Sequence, residues 1–209
     1  MGDIIYLYHK QCCRMTKEEI NQVVVNVVDT LEHGAEIKPK EFAEQIISLF
    51  NKCFPFPIRD FAESLGFTLR YEQFWDNKLS GYIACDDSLD ESYRRIISVN
   101  SRDSNGHQRF TIAHELWHYF ENYQEVQALA ANGGFYSRYR TDLSDLPDEA
   151  SANNFAANLL MPEKPFIALY HELNQVATEQ DVDIMLSESF DVSATAIRKR
   201  CITLGLRGQ

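Results

Sequence analysis

The chain has 209 residues, of which 44% are hydrophobic and 24% charged, and its formal net charge is −11. These values are typical of a soluble globular protein with one sizeable core or two small ones. No apolar run approaches the roughly 18 residues of a membrane span, and the first residues lack the basic region of a signal peptide.

The negative net charge opposes nucleic-acid binding outside a local basic patch. Five scattered cysteines without a CxxC pair indicate reduced thiols. We therefore expect a cytoplasmic protein that binds no membrane.

Three helices are predicted in the N-terminal third of the chain. Residues 17–33 place apolar side chains at helical spacing, and Thr16 and Glu19 form the pattern of a capping box. A second helix begins at Pro39, and a third covers residues 58–65. The simplest interpretation of the third helix is a packing helix that precedes a sheet.

After these helices, the spacing of apolar residues changes from about 3.6, which is typical of a helix, to about 2, which is typical of a strand. Residues 67–71, 81–84 and 95–99 alternate between apolar and polar side chains, with turn residues at 76–77 and 86–87 between them. This pattern predicts a small antiparallel sheet. Because helices, a short sheet and another helix follow one another, the sequence predicts an α+β fold. The chain after residue 120 is expected to be an irregular, mobile loop.

The helix predicted after the sheet contains the motif HExxH, formed by His114, Glu115 and His118. Two histidines four residues apart lie on the same face of a helix, so both imidazoles can reach one Zn²⁺ ion. A zinc-bound water has a pKa near 7, and Glu115 is close enough to take its proton as a general base. The motif therefore predicts a metallopeptidase. Apolar residues at four-residue spacing support the helix: Ile112, Leu116 and Phe120.

Residues 147–162 supply the best candidate for the third zinc ligand, which a catalytic tetrahedral site requires in addition to a water. Prolines bracket a predicted helix, on which Glu149 and Asn153 share a face with Ala152 and Ala156. The two small alanines would let this helix approach the HExxH helix closely. Glu149 could then bind the metal, while Asn153 could accept the outer N–H of a ligand histidine.

These motifs resemble those of the ImmA/IrrE metallopeptidases, and the resemblance covers most of residues 40–206. Three features carry it: the HELWH run at 114–118, the acidic position, and the run at 152–162 that ends in Leu-Leu-Met-Pro. The resemblance implies a gluzincin-like, zincin-like metallopeptidase domain with a C-terminal helical cap. It also implies that His114, His118 and Glu149 hold Zn²⁺ and that Glu115 is the catalytic base.

Two positions depart from the family pattern. Relatives usually carry glycine before the second histidine, and this chain has Trp117, which would narrow the space beside the metal or pack under it. Many relatives also carry a second glutamate where this chain has Ser151. Glu149, or alternatively Asp148, is then the acidic ligand that remains nearby.

The position of the residue that stabilises the oxyanion is left open by the sequence. Tyr123, Tyr136 and Tyr139 are candidates, because a phenol can donate a hydrogen bond to developing negative charge. For any single one of them, aromatic packing or an ordinary surface position is the favoured interpretation.

We divide the chain into a disordered extension at 1–14, N-terminal helices at 15–66, a zinc peptidase core at 67–163 and a C-terminal helical region at 164–209 packed on the core. Residues 181–190 and 193–204 have the spacing of a helix-turn-helix, which raises DNA binding as an alternative function.

The preferred function is a zinc-dependent endopeptidase that cleaves a specific protein. The resemblance implies that this substrate is a separate transcriptional repressor with a helix-turn-helix. An extended segment of the substrate could pair with the edge of the small sheet at residues 79–84. A catalytically silent interaction partner in a phage or toxin–antitoxin module is the alternative.

Overall fold

The computed structural model describes residues 15–50, 54–76, 78–86, 88–140 and 147–208. The predicted extension at 1–14 and the turn residues Asn77 and Asp87 lie outside the described residues. The helices are α1 Lys17–Glu32, α2 Pro39–Leu49, α3 Ile58–Ser64, α4 Glu91–Arg94, α5 Asn105–Glu121, α6 Tyr123–Ala131, α7 Pro147–Leu160, α8 Glu163–Leu173, α9 Glu179–Phe190 and α10 Ala194–Thr203. The strands are β1 Thr68–Glu72, β2 Gly81–Asp86, β3 Arg95–Asn100 and β4 Phe135–Arg140.

The N-terminal helices form as predicted. Thr16 accepts a hydrogen bond from the backbone of Glu19, whose carboxylate accepts one from the backbone of Thr16, and this capping box starts α1. Gly34 follows the helix with a φ of 67°, a left-handed conformation that glycine adopts at little cost. Among the described residues, no helix is long and apolar enough to cross a membrane.

The sheet is mixed, so the prediction of an antiparallel sheet was wrong in part. Its strand order is β1-β3-β2-β4; β2 runs antiparallel to both neighbours, but β1 runs parallel to β3. Alternation of apolar and polar residues shows which side chains face the core, and it carries no information about the direction of the neighbouring strand. The segment 79–84 was predicted as an edge, but its residues 81–84 belong to the interior strand β2.

The prediction of an irregular loop after residue 120 was also wrong. Helix α6 begins at Tyr123, and β4 adds a fourth strand at Phe135. Glutamate, glutamine and alanine favour the helix at 123–131, and that propensity signal was available in the sequence. The sequence of β4 lacks a clean alternation, so periodicity could not reveal it.

Helix α5 runs through the middle of the molecule. It packs against β2 and β3 on one side and against α7 on the other. Phe42 of α2 closes the same core, with its ring 5.3 Å from that of Phe120 and 6.3 Å from that of Phe155. The histidine side of α5 is as buried as its apolar side, so this helix has no solvated face along residues 111–120.

The C-terminal helices contact α5 near its N-terminus. The turn between α9 and α10 contains Asp191, which has a left-handed φ of 50°. Its backbone oxygen accepts a hydrogen bond of 2.9 Å from Nε of Arg109, and the Arg109 guanidinium also donates to the carbonyl of Phe56. At Gly106 an added Cβ would lie 2.5 Å from the carbonyl carbon of Val192. The backbone of this turn therefore lies directly against α5.

Candidate metal centre

Helix α5 carries both histidines of the HExxH motif into the protein interior. Ser104 caps the helix by accepting a hydrogen bond from the backbone of His107, which fixes its start ten residues before the first histidine. His114 and His118 are 0% and 1% exposed, and their Nε2 atoms lie 3.1 Å apart. The four-residue spacing therefore points both ring nitrogens at one place.

Helix α7 brings Glu149 to the same place. The interface between α5 and α7 contains fully buried alanines, Ala113 on α5 and Ala152 on α7, which let the two backbones approach. One carboxylate oxygen of Glu149 lies 3.0 Å from Nε2 of His114, and the other lies 3.4 Å from Nε2 of His118. Ligand atoms of these three residues all lie within 4.8 Å of one another. The acidic alternative, Asp148, has an exposed side chain.

Asn153 lies one turn after Glu149 and contacts the far side of the His114 ring. Its Oδ1 atom is 3.1 Å from Nδ1 of His114, which is the contact that the sequence predicted. An amide oxygen only accepts hydrogen bonds, so Nδ1 carries the proton. In the neutral ring Nε2 then carries a lone pair, and it faces Glu149 and His118, as metal binding requires. Among the described residues, Nδ1 of His118 has no such partner.

The pKa of Glu149 is set by two opposing effects. Burial raises it, but when the rings of His114 and His118 are protonated at Nε2, their hydrogen bonds and charges lower it more, so the pKa lies well below its usual range. A metal ion would take the place of these Nε2 protons. Glu149 is therefore an anion at neutral pH. A buried carboxylate beside two imidazoles is a donor set of the type that binds a divalent cation.

These three residues fit zinc. Catalytic zinc sites use three protein ligands from histidine and carboxylate side chains and keep one position open. With Zn–N distances of about 2.0–2.1 Å, two ligand nitrogens of a tetrahedral site lie about 3.3 Å apart. The 3.1 Å between the two Nε2 atoms is close to that value.

Glu115, the predicted base, is fully buried on α5 beside His114. It lies about 100° around the helix from that histidine, and the general base of an HExxH motif occupies this position. The structure therefore keeps its side chain in the interior near the candidate ligands.

Trp117 packs into the core on α5, and its ring centroid lies 5.2 Å from that of Phe155. It is 1% exposed. The large side chain that replaces the family's usual glycine is therefore accommodated among aromatic residues. Ser151, at the second family departure, lies on α7 and is partly exposed.

The tyrosine candidates occupy different environments. The hydroxyl of Tyr136 donates a 3.3 Å hydrogen bond to the backbone oxygen of His118. Tyr123 packs on Tyr119 at 5.5 Å between ring centroids, and burial raises the pKa of its hydroxyl. The side chain of Tyr139 lies outside the described residues. Of the two whose side chains the structure describes, Tyr136 is the one whose hydroxyl contacts a residue of the candidate site.

Sequence analysis did not single out Arg109 or Gly106, although both tie α5 to the C-terminal turn. A buried arginine five residues before the first histidine leaves no periodic signal. A glycine in the predicted first turn of a helix is typical of an ordinary cap, so it does not indicate a distant contact. Their roles depend on a contact with residues 191–193, which are distant in sequence.

The mixed α+β architecture fits a zincin-like peptidase domain, and the buried group on α5 and α7 is compatible with a metal. Residues 62–201, about two thirds of the chain, match the model of the family Peptidase_M78, described as the IrrE N-terminal-like domain. The chain belongs to this family, and the ImmA/IrrE resemblance seen in the sequence is confirmed. A comparison with curated proteins found no match.

Proposed function

We propose that this protein is a zinc-dependent endopeptidase in which His114, His118 and Glu149 hold the metal and Glu115 is the general base. The observation that carries the proposal is the convergence of two buried imidazole nitrogens and one buried carboxylate within 4.8 Å. Family membership supports a peptidase-type hydrolase, and the site supplies the residues that such a reaction needs.

Zinc bound here would activate a water molecule and polarise the carbonyl of the scissile bond. Glu115 accepts the proton of the attacking water and delivers it to the leaving amine nitrogen. The Glu115 side chain is fully buried, which keeps bulk water away from its carboxylate. The proton that Glu115 accepts is therefore passed to the reacting groups and not to bulk solvent. Asn153 orients His114 by accepting the Nδ1 proton, which keeps the Nε2 lone pair directed into the site.

We propose that the substrate is a specific protein, and that it is a separate transcriptional repressor. A peptide backbone must be extended to bring its carbonyl to about 3 Å from the attacking water. Main-chain pairing alone selects poorly among sequences, so selectivity comes from docking of a folded partner away from the site. We expect weak cleavage of unfolded generic substrates such as casein and cleavage at one or a few positions in the true substrate.

Comparing the wild type with Glu115→Gln tests the proposal. The variant keeps the three ligands but cannot accept a proton, so it should retain zinc and lose proteolysis. Both proteins are incubated with the helix-turn-helix regulators that a survey of the neighbouring genes identifies. Zinc is measured by elemental analysis, and fragments are identified by mass spectrometry. Equal cleavage by both proteins would remove Glu115 from the mechanism. Tight binding without cleavage by either protein would assign the chain to the silent interaction partners.

A further inference from the structure

Strand β4 covers the edge of β2 that points away from β3. The two strands are antiparallel and paired along their whole length, from Gly81 opposite Arg140 to Asp86 opposite Phe135. A substrate strand can pair with β2 only along this same edge, because β3 occupies the other one. The chain itself therefore fills that position.

Strand β2 is the strand against which the candidate metal centre is built. A Cβ added at Gly81 would lie 2.5 Å from Cγ2 of Thr111, so the β2 backbone is in direct contact with α5 at this point. Thr111 lies seven residues before His118, and a spacing of seven residues returns to nearly the same face of a helix. Ser80, just before β2, also contacts α5, since its Oγ lies 3.1 Å from Nε2 of His107. The face of α5 that contacts β2 is thus the same face that carries the metal ligand His118 farther along the helix.

Strand β4 also touches the helix that carries these ligands. Tyr136, opposite Cys85 of β2, is 8% exposed, and its hydroxyl donates to the backbone oxygen of His118. Through Tyr136, β4 is therefore in direct contact with α5 at the level of His118. An extended peptide that ran beside β2 towards the site would meet β4 in its path.

We propose that β4 is an autoinhibitory strand, which occupies on β2 the position taken by the extended backbone of the substrate. A substrate binds productively only after β4 has left β2. This inference rests on the proposed function, because it assumes that a peptide must reach the metal centre. It also accounts for selectivity, since a partner that docks elsewhere supplies the binding energy that displaces β4. A short generic peptide has neither that docking energy nor a metal-chelating group, and it does not displace the strand.

The attachment of β4 suits such a displacement. Of its first three residues, Tyr136 alone is buried, whereas Phe135 is 56% exposed and Ser137 is partly exposed. Within the described part of the chain, its other edge has no strand partner. Gly133 precedes it with a φ of 66°, and a glycine in that conformation lets the backbone change direction at low cost. A strand paired along one edge is held less firmly than a strand with a hydrogen-bond ladder on both edges in a core.

A reversible lock on β4 tests the proposal. Ala84 lies directly opposite Ser137, and opposed residues in antiparallel strands have Cα atoms about 4.5–5.5 Å apart, within the range of a disulfide. The double variant Ala84→Cys/Ser137→Cys is loaded with zinc and prepared in an oxidised and a reduced form. Each form is then titrated with two probes by calorimetry. One probe is a set of extended hexapeptide hydroxamates, which need both the metal and the strand position. The other is acetohydroxamic acid, which needs only the metal. The single variants Ala84→Cys and Ser137→Cys control for oxidation of other thiols.

We expect oxidation to weaken the binding of the peptide hydroxamates by at least tenfold, reduction to restore it, and acetohydroxamic acid to bind all forms equally. Equal peptide affinity of the oxidised and reduced variant would overturn the inference and leave the proposed function standing. Loss of zinc and of acetohydroxamic acid binding in every form, the wild type included, would reject the proposed function and the inference together.

Hydrogen exchange supplies an independent measurement on the wild type. When a peptide hydroxamate binds, amides of residues 135–140 should lose protection while those of β2 keep theirs, because the peptide replaces β4 in the ladder. Retained protection of β4 in the peptide complex contradicts the proposal. If no peptide binds the wild type, the variant Tyr136→Ala is tested, because it removes the buried side chain that anchors β4. This variant should bind the peptide hydroxamates at least tenfold more tightly. An unchanged affinity in a folded variant also contradicts the proposal.

Discussion

The Nδ1 atom of His114 and the Oδ1 atom of Asn153 lie 3.1 Å apart across the interface between α5 and α7. This contact joins the two helices that supply the candidate ligands, and it fixes the orientation of one imidazole. Partners of this kind typically change metal affinity by about 10- to 100-fold when they are removed.

Asn153→Ala should therefore lower zinc affinity by about 10- to 100-fold while leaving all three ligands in place. Asn153→Asp, which keeps an acceptor oxygen, should retain most of the affinity. Competition with a chromogenic chelator measures both variants, and Asn174→Ala, at the exposed residue that follows α8, is the matched control. A variant Asn153→Ala with wild-type affinity would show that packing alone orients His114.

Glu149→Gln should lose zinc binding, because a neutral amide replaces the anion that faces His114 and His118. Asp148→Asn makes the same chemical change at the neighbouring, exposed residue and should leave zinc affinity unchanged. Elemental analysis after dialysis against a weak chelator distinguishes the two. Loss of zinc in Asp148→Asn with retention in Glu149→Gln would reverse the assignment of the acidic ligand.

Gly106→Ala should destabilise the protein although alanine is the better helix former by about 1 kcal/mol. The added Cβ would lie 2.5 Å from the carbonyl carbon of Val192 and 2.6 Å from the amide nitrogen of Ser193, and backbone atoms cannot rotate away. Overpacking costs about 1–3 kcal/mol, so the clash outweighs the propensity. Thermal unfolding measures the change. Gly208→Ala, where an added Cβ meets no atom within 4 Å, should have little effect.

Arg200→Ala should lower the free energy of unfolding by about 2–4 kcal/mol. This arginine is buried on α10 and donates to the backbone oxygen of Met161 at 3.0 Å and to Oδ1 of Asn158 at 2.8 Å. Burial lowers its pKa to about 10, a value at which the side chain is still charged at neutral pH. Removing it leaves two acceptors without this donor. The exposed Lys199→Ala removes the same charge from the next residue and should change stability by less than about 0.5 kcal/mol.

The position of Arg200 also bears on the DNA-binding alternative. Of the three basic residues at 198–200, Arg200 is committed to contacts with α7 and the residue that follows it. Arg198 donates to Asp183 at 3.0 Å, so its charge is partly neutralised within the protein. The C-terminal helices contribute buried side chains to the core, among them Leu186, Phe190 and Ile197. These contacts favour a structural role for the two helices over contact with a phosphate backbone.

The parts of the site that were predictable from the sequence are those set by spacing along one helix. Residues 114 and 118 share a face of α5 because four residues make about one turn, and Asn153 follows Glu149 by the same interval on α7. The approach of the two helices was predictable from Ala152 and Ala156, because small side chains are needed where backbones come close. Local chemistry determined each of these features.

The features that were missed depend on pairings between distant segments. The parallel alignment of β1 with β3 and the addition of β4 to β2 depend on which strands meet, and no residue within a strand specifies this. The contact of Gly106 with Val192 joins positions 86 residues apart in the chain. Such contacts depend on how the whole core packs, and the local periodicity of the sequence carries no information about them.

The docking of the α9–α10 turn on Gly106 also orders events during protein synthesis. Helix α5 leaves the ribosome well before Val192 and Ser193, the residues on which its N-terminal turn rests. Domains condense as units once their long-range contacts can form, so the helix that carries the histidines reaches its final packing late in translation. A nascent chain that has not yet released this turn therefore holds an incompletely supported candidate metal centre.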